Sequence, residues 1–169
     1  MTTDTANYLH DGNSTQSLQR WLNLITLGAD KELVQDMMLR SHSLGSLQFL
    51  GLFLSRLTET DWVYYSYYTD DDLTECDIDK EQASIGTQML QSIANSDVVI
   101  IFKVKQDEIS FSMRSKTTSV DHIARHYGGW GHQHATGGAR VRRQTWVELQ
   151  IQLTMIVHEV AQMLLIAVK

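Results

Sequence analysis

Residues 97–105, DVVIIFKVK, followed by residues 108–114, EISFSMR, decide how this chain folds. The first stretch is a run of β-branched and aromatic residues with the length of one buried strand. The second alternates Ile109, Phe111 and Met113 with polar residues, the period of a strand with one face on a core. Gln106-Asp107 between them predicts a hairpin, although the favoured Asn-Gly or Asp-Gly pair is absent. Upstream, residues 62–69 (WVYYSYYT) form a second strand signature, rich in aromatics and hydroxyls. The acidic residues 70–79 read as a loop, and a helix is expected over about 80–94.

Three helices come before these strands. Asn13 or Ser14 can cap the first, with Leu18, Trp21, Leu22 and Ile25 at helical spacing and Gly28 as its stop. Asp30 caps a short second helix through Leu33, Val34, Met37 and Met38. A third, over 43–57, sets Leu47, Leu50, Phe53, Leu54 and Leu57 on one face. Downstream, residues 120–127 read as a short helix capped by Ser119, and residues 128–138 as a glycine-rich loop. A further strand is expected from Arg140-Val141, then a long helix over 144–168. Helices followed by strands without strict βαβ alternation predict an α+β fold. In this reading, helical linker residues 1–58 precede a small mixed-sheet domain, residues 59–169, with flanking helices.

The 169 residues, 43% hydrophobic and 20% charged, have globular composition, which excludes wholesale disorder. No apolar run approaches the roughly 18 residues of a membrane helix, and no signal peptide is visible. One cysteine, Cys76, excludes an internal disulfide, and a reducing, cytoplasmic setting is expected. The net charge of −6 divides unevenly: residues 1–100 balance at −10 and residues 101–169 at +4. Four of the seven histidines, His122, His126, His132 and His134, fall in one short stretch of the basic part. An anionic ligand is therefore sought there.

The least ordinary segment is residues 126–138, HYGGWGHQHATGG. Glycine-rich loops of this kind can offer successive N–H groups to phosphate oxygens, with Arg125 and His132 as further donors. Arg114 and Ser115, at the end of a predicted strand, add a guanidinium fork and a hydroxyl. Composition alone leaves this reading beside a plain glycine-rich turn with incidental histidines.

Ser112-Met113-Arg114-Ser115, then Gly128-Gly129-Trp130-Gly131-His132 and Ala135-Thr136-Gly137, resemble the substrate-binding domain associated with DHH-family phosphoesterases. The signature of that domain is an S-x-R-S strand followed by G-G-G-G-H-x-x-A-A-G. Thr3-Asp4-Thr5 and the helix ending Leu27-Gly28-Ala29-Asp30 resemble the end of the catalytic domain and the linker in the oligoribonuclease/pAp-phosphatase branch. The resemblance implies a two-lobed phosphoesterase whose larger domain holds two divalent metals, often manganese. The smaller domain would grip a nucleotide or short single-stranded oligonucleotide.

Carried over, Arg114 and Ser115 would contact the nucleotide, and Gly128, Gly129, Gly131 and His132 would hold a phosphate. Trp130, Ala135 and Gly137 complete the substrate-binding set. Asp4 matches the last metal ligand of the catalytic domain. The sequence departs from the pattern in three ways. No Asp-His-His run is present, Trp130 replaces a glycine, and Thr136 replaces the second alanine. The reading is a nucleotide-phosphate-binding lobe, inactive and cofactor-free alone. Its alternative is the C-terminal part of a manganese-dependent phosphodiesterase or pAp phosphatase, completed by a separate catalytic domain. Trp130 would be strained if its position needs positive φ.

Other features have plainer readings. His122 and His126 lie four apart, but no Glu stands between them as in H-E-x-x-H and no third ligand is evident. The acidic run lacks the glycine and terminal Glu of a calcium loop. Cys76, beside acids, has little thiolate character. The aromatic run 62–68 is read as a core strand before a base-stacking platform. In the last helix, Trp146, Leu149, Leu153, Ile156, Val160, Met163 and Ala167 make a heptad seam. That seam allows a homodimer or an oligomerising scaffold, or packing within its own domain; no membrane is implied.

Overall fold

The computed structural model describes residues 14–40, 42–105, 108–141 and 146–167. The chain divides into two compact units, residues 1–43 and 44–169. The first unit holds α1 (Ser14–Thr26) and α2 (Lys31–Leu39). Asp30 caps α2 as the sequence predicts, its carboxylate accepting from the Leu33 N–H at 2.9 Å.

In the second unit, helix α3 (Leu44–Ser55) leads into β1 (Thr58–Thr60) and β2 (Val63–Thr69). Two short helices follow, α4 (Asp70–Glu75) and α5 (Ser84–Gln91). Then come β3 (Val98–Val104), β4 (Ile109–Ser115), α6 (Asp121–His126), β5 (Trp130–His132), β6 (Ala135–Val141) and α7 (Trp146–Ala167). The six strands form one sheet in the order β1-β2-β3-β4-β6-β5. β2 and β3 run parallel, joined through α4 and α5, and every other pair is antiparallel. The α+β architecture and the mixed sheet agree with the sequence.

Strand β3 is central, and its alternate residues enter two different cores. Val98, Ile100, Phe102 and Val104 join Ile109, Phe111 and Met113 of β4 against Leu149, Leu153, Val157 and Val160 of α7. Val99 and Ile101 face the other way, onto Phe49 and Phe53 of α3 and Ile85 and Leu90 of α5. A strand covered on both faces reads as continuous hydrophobicity, which is why VVIIF shows no alternation.

Several sequence expectations are corrected. The buried face of α3 carries Phe49 and Phe53, whereas Leu47 and Leu54 are exposed. Residues 70–75 are helical, not loop, because Thr69 and Asp72 form a capping box: Asp72 N–H donates to Thr69 Oγ1 at 3.1 Å and Thr69 N–H to Asp72 Oδ2 at 2.7 Å. Arg56 then grips the same carboxylate with both terminal nitrogens, at 2.5 and 2.9 Å, and lies 4.7 Å over the Tyr67 ring. Helix α6 has Val120 at its N-cap, while Ser119 donates to the Asp121 carboxylate instead. β3 and β4 pair as a hairpin would require, but Gln106-Asp107 lies outside the described residues.

The apolar seam of α7 is spent inside its own unit: Leu149, Leu153, Ile156 and Val160 are buried against the sheet. These four seam residues therefore pack within their own unit. Among the described residues, no helix is long and apolar enough to cross a membrane.

Candidate functional site

Residues 126–138 do not form a loop. They end α6, turn, and build the β5–β6 hairpin at the sheet edge. Gly128, at φ +71°, is the left-handed residue of a Schellman cap. Its N–H donates to the Arg125 carbonyl at 3.1 Å, and that of Gly129 donates to the Ala124 carbonyl at 2.7 Å. Both N–H groups are thus committed to the helix end instead of cradling a ligand. Gly131 is required by close approach, since a Cβ there would stand 2.4 Å from the Thr136 Cα across the hairpin. Trp130 has ordinary extended backbone within β5 and is absent from the positive-φ residues. No strain attaches to it, and its side chain is 80% exposed.

Register brings the remaining residues together. Side chains of directly paired residues share a face of the sheet. Val99 pairs with Arg114, Arg114 with Ala135, and Ala135 with His132. The next row is Ile101, Ser112, Gly137 and Trp130. Val99 and Ile101 point to the α3–α5 side, so Arg114, Ser112, Trp130 and His132 all rise from that face. Ala135 and Gly137 of β6, with almost no side chain, lie between them. The result is a trough with a small-residue floor. Arg114 and Ser112 form one wall on β4, and His132 and Trp130 form the other on β5, about 10 Å away across two strand spacings. The indole leans toward Gly138, 4.0 Å from where a Cβ would stand.

Arg114 is half-buried, with its Nη1 donating to the Met113 carbonyl at 2.9 Å and to the Thr136 carbonyl at 3.5 Å. Burial lowers its pKa from the ordinary arginine value, and among the described residues it has no ion pair with a carboxylate. A guanidinium held only by neutral carbonyls retains its full attraction for an incoming anion. His132 is exposed at the open edge.

Ser115 is on the opposite side of β4 from Arg114. Its hydroxyl donates to the Thr118 carbonyl and lies 3.1 Å from His134 Nδ1, locking the turn after β4. Asp97 fixes the same segment, accepting from the N–H groups of Lys116, Thr117 and Thr118 at 3.1, 2.7 and 3.2 Å, and from both threonine hydroxyls. Burial alone would raise the Asp97 pKa; these donors outweigh it and hold the carboxyl below its usual range. Ser115 thus acts where it stands as a support for the strand end that carries Arg114.

Ser112 belongs to the trough, although the motif gives it no role of its own. Its alternation with Arg114 on β4 is the signal that could have found it. Of the two helical histidines, His126 packs edge-on against Tyr127, with centroids 5.1 Å apart. Asp4 lies outside the described residues. Among the described residues, no group of three His, Cys, Asp or Glu side chains could hold a metal ion, so they do not fit a manganese pair. Burial raises the Cys76 thiol pKa, with Asp72 and Glu75 adding to it, as expected of an unreactive cysteine.

The mixed sheet, flanked by helices on both faces and opening into an edge trough, defines an α+β domain of known architecture. An exopolyphosphatase-related protein from Bacteroides fragilis shares it, with a TM-score of 0.79 over 97% of this chain at 21% identity. The chain spans about half of that protein, covering 49% of its length. A pGpG-specific phosphodiesterase from Vibrio cholerae superposes more loosely, with a TM-score of 0.41 at 12% identity, covering 68% of this chain and 38% of that one. No family model and no curated protein matches the chain.

Proposed function

We propose that this chain is the nucleotide-phosphate-binding lobe of a DHH-type phosphoesterase, taking a nucleotide or a short single-stranded oligonucleotide in the β4–β6–β5 trough. One observation carries the reading: Arg114 and His132 face each other across Ala135, in the row next to Ser112 and Trp130 across Gly137. A phosphate over the small floor would meet a guanidinium from one side and an imidazole from the other. A base would find an indole face free to stack. Ala135 and Gly137 contribute by being small, and Gly131 by letting β5 lie close to β6. Gly128 and Gly129 serve by ending α6 where β5 must begin. The S-x-R-S and glycine–histidine motifs, together with the fold shared with the exopolyphosphatase-related protein, support the family assignment. A reducing, cytoplasmic compartment suits such a ligand and the single cysteine.

The test is calorimetric titration of adenosine 3′,5′-bisphosphate at low and high salt. Binding weakens as salt rises. Arg114→Gln weakens it by roughly 10- to 150-fold, since a hydrogen bond to a charged group contributes about 1.5–3 kcal/mol. Binding indifferent to both salt and Arg114 would overturn the proposal.

A second reading is favoured by the chain matching half of a longer phosphatase-related protein. On this reading the lobe presents substrate to a separate manganese-bearing catalytic domain for phosphodiester or 3′-phosphate hydrolysis. The described residues supply no ligand set for that metal, and the chain alone turns nothing over even with manganese added. Mononucleotide release from a short oligoribonucleotide is the assay. Turnover that survives purification and vanishes in His132→Ala would show the chain to be an enzyme by itself.

A further inference from the structure

The heptad seam expected on α7 is buried against the sheet, but a second seam runs along the outer side of the same helix. Ile151, Met155, His158, Gln162 and Leu165 recur at spacings of four, three, four and three, and all five are exposed. The three apolar members are each more than half exposed. The stripe continues for two heptads, about 21 Å of helix. The outer face of a helix lying on a domain ordinarily carries charge. Helix α7 has no lysine or arginine in its 22 residues, and its two glutamates, Glu148 and Glu159, both lie outside the stripe. Glu159 is moreover engaged, accepting from the Tyr127 hydroxyl.

The polar members of the stripe are prepared for cover. His158 Nδ1 lies 2.6 Å from Asp61 Oδ2, and its Nε2 lies 2.8 Å from Gln162 Nε2. Both ring nitrogens therefore keep a partner when water is excluded, which removes most of the penalty for burying them. The β1–β2 turn is held onto α7 by the same contact. Asp61 and Trp62 form that turn at φ +49° and +62°, where asparagine and glycine are usual. Backbone strain of this kind persists where the surroundings compensate it. Beside the stripe a groove of about 520 Å³ opens between α7 and β1, lined by Thr60, Ile151, Thr154, Met155, His158 and Glu159.

We propose that the outer stripe of α7 is a dimer interface, and that its occupant is the same stripe of a second copy of this chain. Three observations select a second copy. A seam at alternating spacings of three and four matches another helix carrying the same repeat, since each side chain then enters a hole of the facing helix. A twofold interface sets every residue against its own surface patch, and a stripe without lysine, arginine, aspartate or glutamate meets itself without like-charge repulsion. The register that covers the whole stripe brings His158 opposite its counterpart whether the helices run parallel or antiparallel, with Asp61 accompanying each imidazole. A polar layer inside an otherwise apolar seam is the device that fixes register in paired helices. Finally, α7 covers the Val98–Ile100 face of the sheet, opposite Arg114, so a catalytic domain reaching the trough would leave this stripe open.

The experiment is sedimentation velocity on the full chain across a concentration series reaching submillimolar protein. The unsubstituted chain should sediment as a dimer at the upper end and dissociate on dilution. Met155→Glu, which sets two carboxylates against the seam, should weaken dimerisation by roughly a hundredfold or more with an unchanged circular dichroism spectrum. Met89→Glu, at an exposed apolar position on α5, should leave the dimer intact. Should Met155→Glu lose its helical spectrum, the double variant Ile151→Gln with Leu165→Gln, which adds no charge, makes the same test. A chain that stays monomeric at the highest concentration refutes the proposal, whatever else the stripe then holds. A dimer that survives Met155→Glu or the double variant, or that Met89→Glu disrupts equally, places the interface elsewhere and refutes it too. Nucleotide binding is a separate measurement on the same protein, so failure here leaves the binding lobe standing.

Discussion

Replacing Trp130 by alanine tests what the indole contributes, because the substitution separates ligand effects from folding effects. The side chain is 80% exposed on an edge strand, and its backbone is extended. Its removal opens no cavity, so stability should change by no more than about 0.5 kcal/mol. In the trough it stands across Gly137 from Ser112, with its ring edge 4.0 Å from where a Gly138 Cβ would stand. A base entering over this floor gains one aromatic face, and base–aromatic stacking is worth about 1–3 kcal/mol by alanine substitution. At about 1.4 kcal/mol per tenfold, Trp130→Ala should weaken a nucleotide by roughly 5- to 150-fold. Inorganic pyrophosphate, which has no base, should bind both proteins equally. The assay is a pair of titrations, nucleotide and pyrophosphate, on each protein, with thermal melts as the folding control. Tighter nucleotide binding by Trp130→Ala or Trp130→Gly would refute the reasoning and mean that the indole crowds the trough.

Other substitutions probe the scaffold. Gly131→Ala places a Cβ 2.4 Å from the Thr136 Cα, and relief by overpacking shifts should cost about 1–3 kcal/mol, or roughly 2–12 °C in melting temperature; an unchanged melt would show that the hairpin is looser than this contact requires. Phe53→Ala, emptying a buried site in the α3–α5 core, should cost about 3–5 kcal/mol in chemical denaturation, and a loss under about 1 kcal/mol would contradict that packing. Asp97 has a folded pKa below its unfolded value, so its stabilising effect is present above about pH 3.9 and is lost as pH falls through the folded value. Asp97→Ala should therefore be less stable at neutral pH and show a shallower loss between about pH 4 and 2; parallel acid curves would rule out that linkage.

How much of this was legible in the sequence depended on whether one residue's environment came from its neighbours or from another strand. The unbroken VVIIF run announced a strand buried on both sides, and Asp30 announced its helix, because both signals are local. Helix α4 was hidden because its capping box, Thr69 with Asp72, sits in an acidic run whose composition looks like solvated loop. The buried face of α3 was hidden because leucines and phenylalanines occur all round the helix, so spacing alone could not pick Phe49 and Phe53 over Leu47 and Leu54. Within the site, Arg114, Trp130, His132, Ala135 and Gly137 were named from motif and meet in two rows of the sheet. Their order across the trough was not readable, since it depends on which residues of β4, β6 and β5 pair. The same is true of Gly128 and Gly129, whose N–H groups go to the end of α6.

The measurement that bears most directly on the central claim is a backbone amide NMR titration of the full chain with adenosine 3′,5′-bisphosphate up to millimolar concentration. Ligand in the trough should shift the signals of Arg114, Trp130, His132, Ala135 and Gly137 together, saturating along one isotherm. Residues on the opposite face, such as Thr154 and His158 of α7, should stay fixed. Silence across residues 128–137, or shifts confined to the α7 face, would contradict the claim that this sheet edge is a phosphate-binding site.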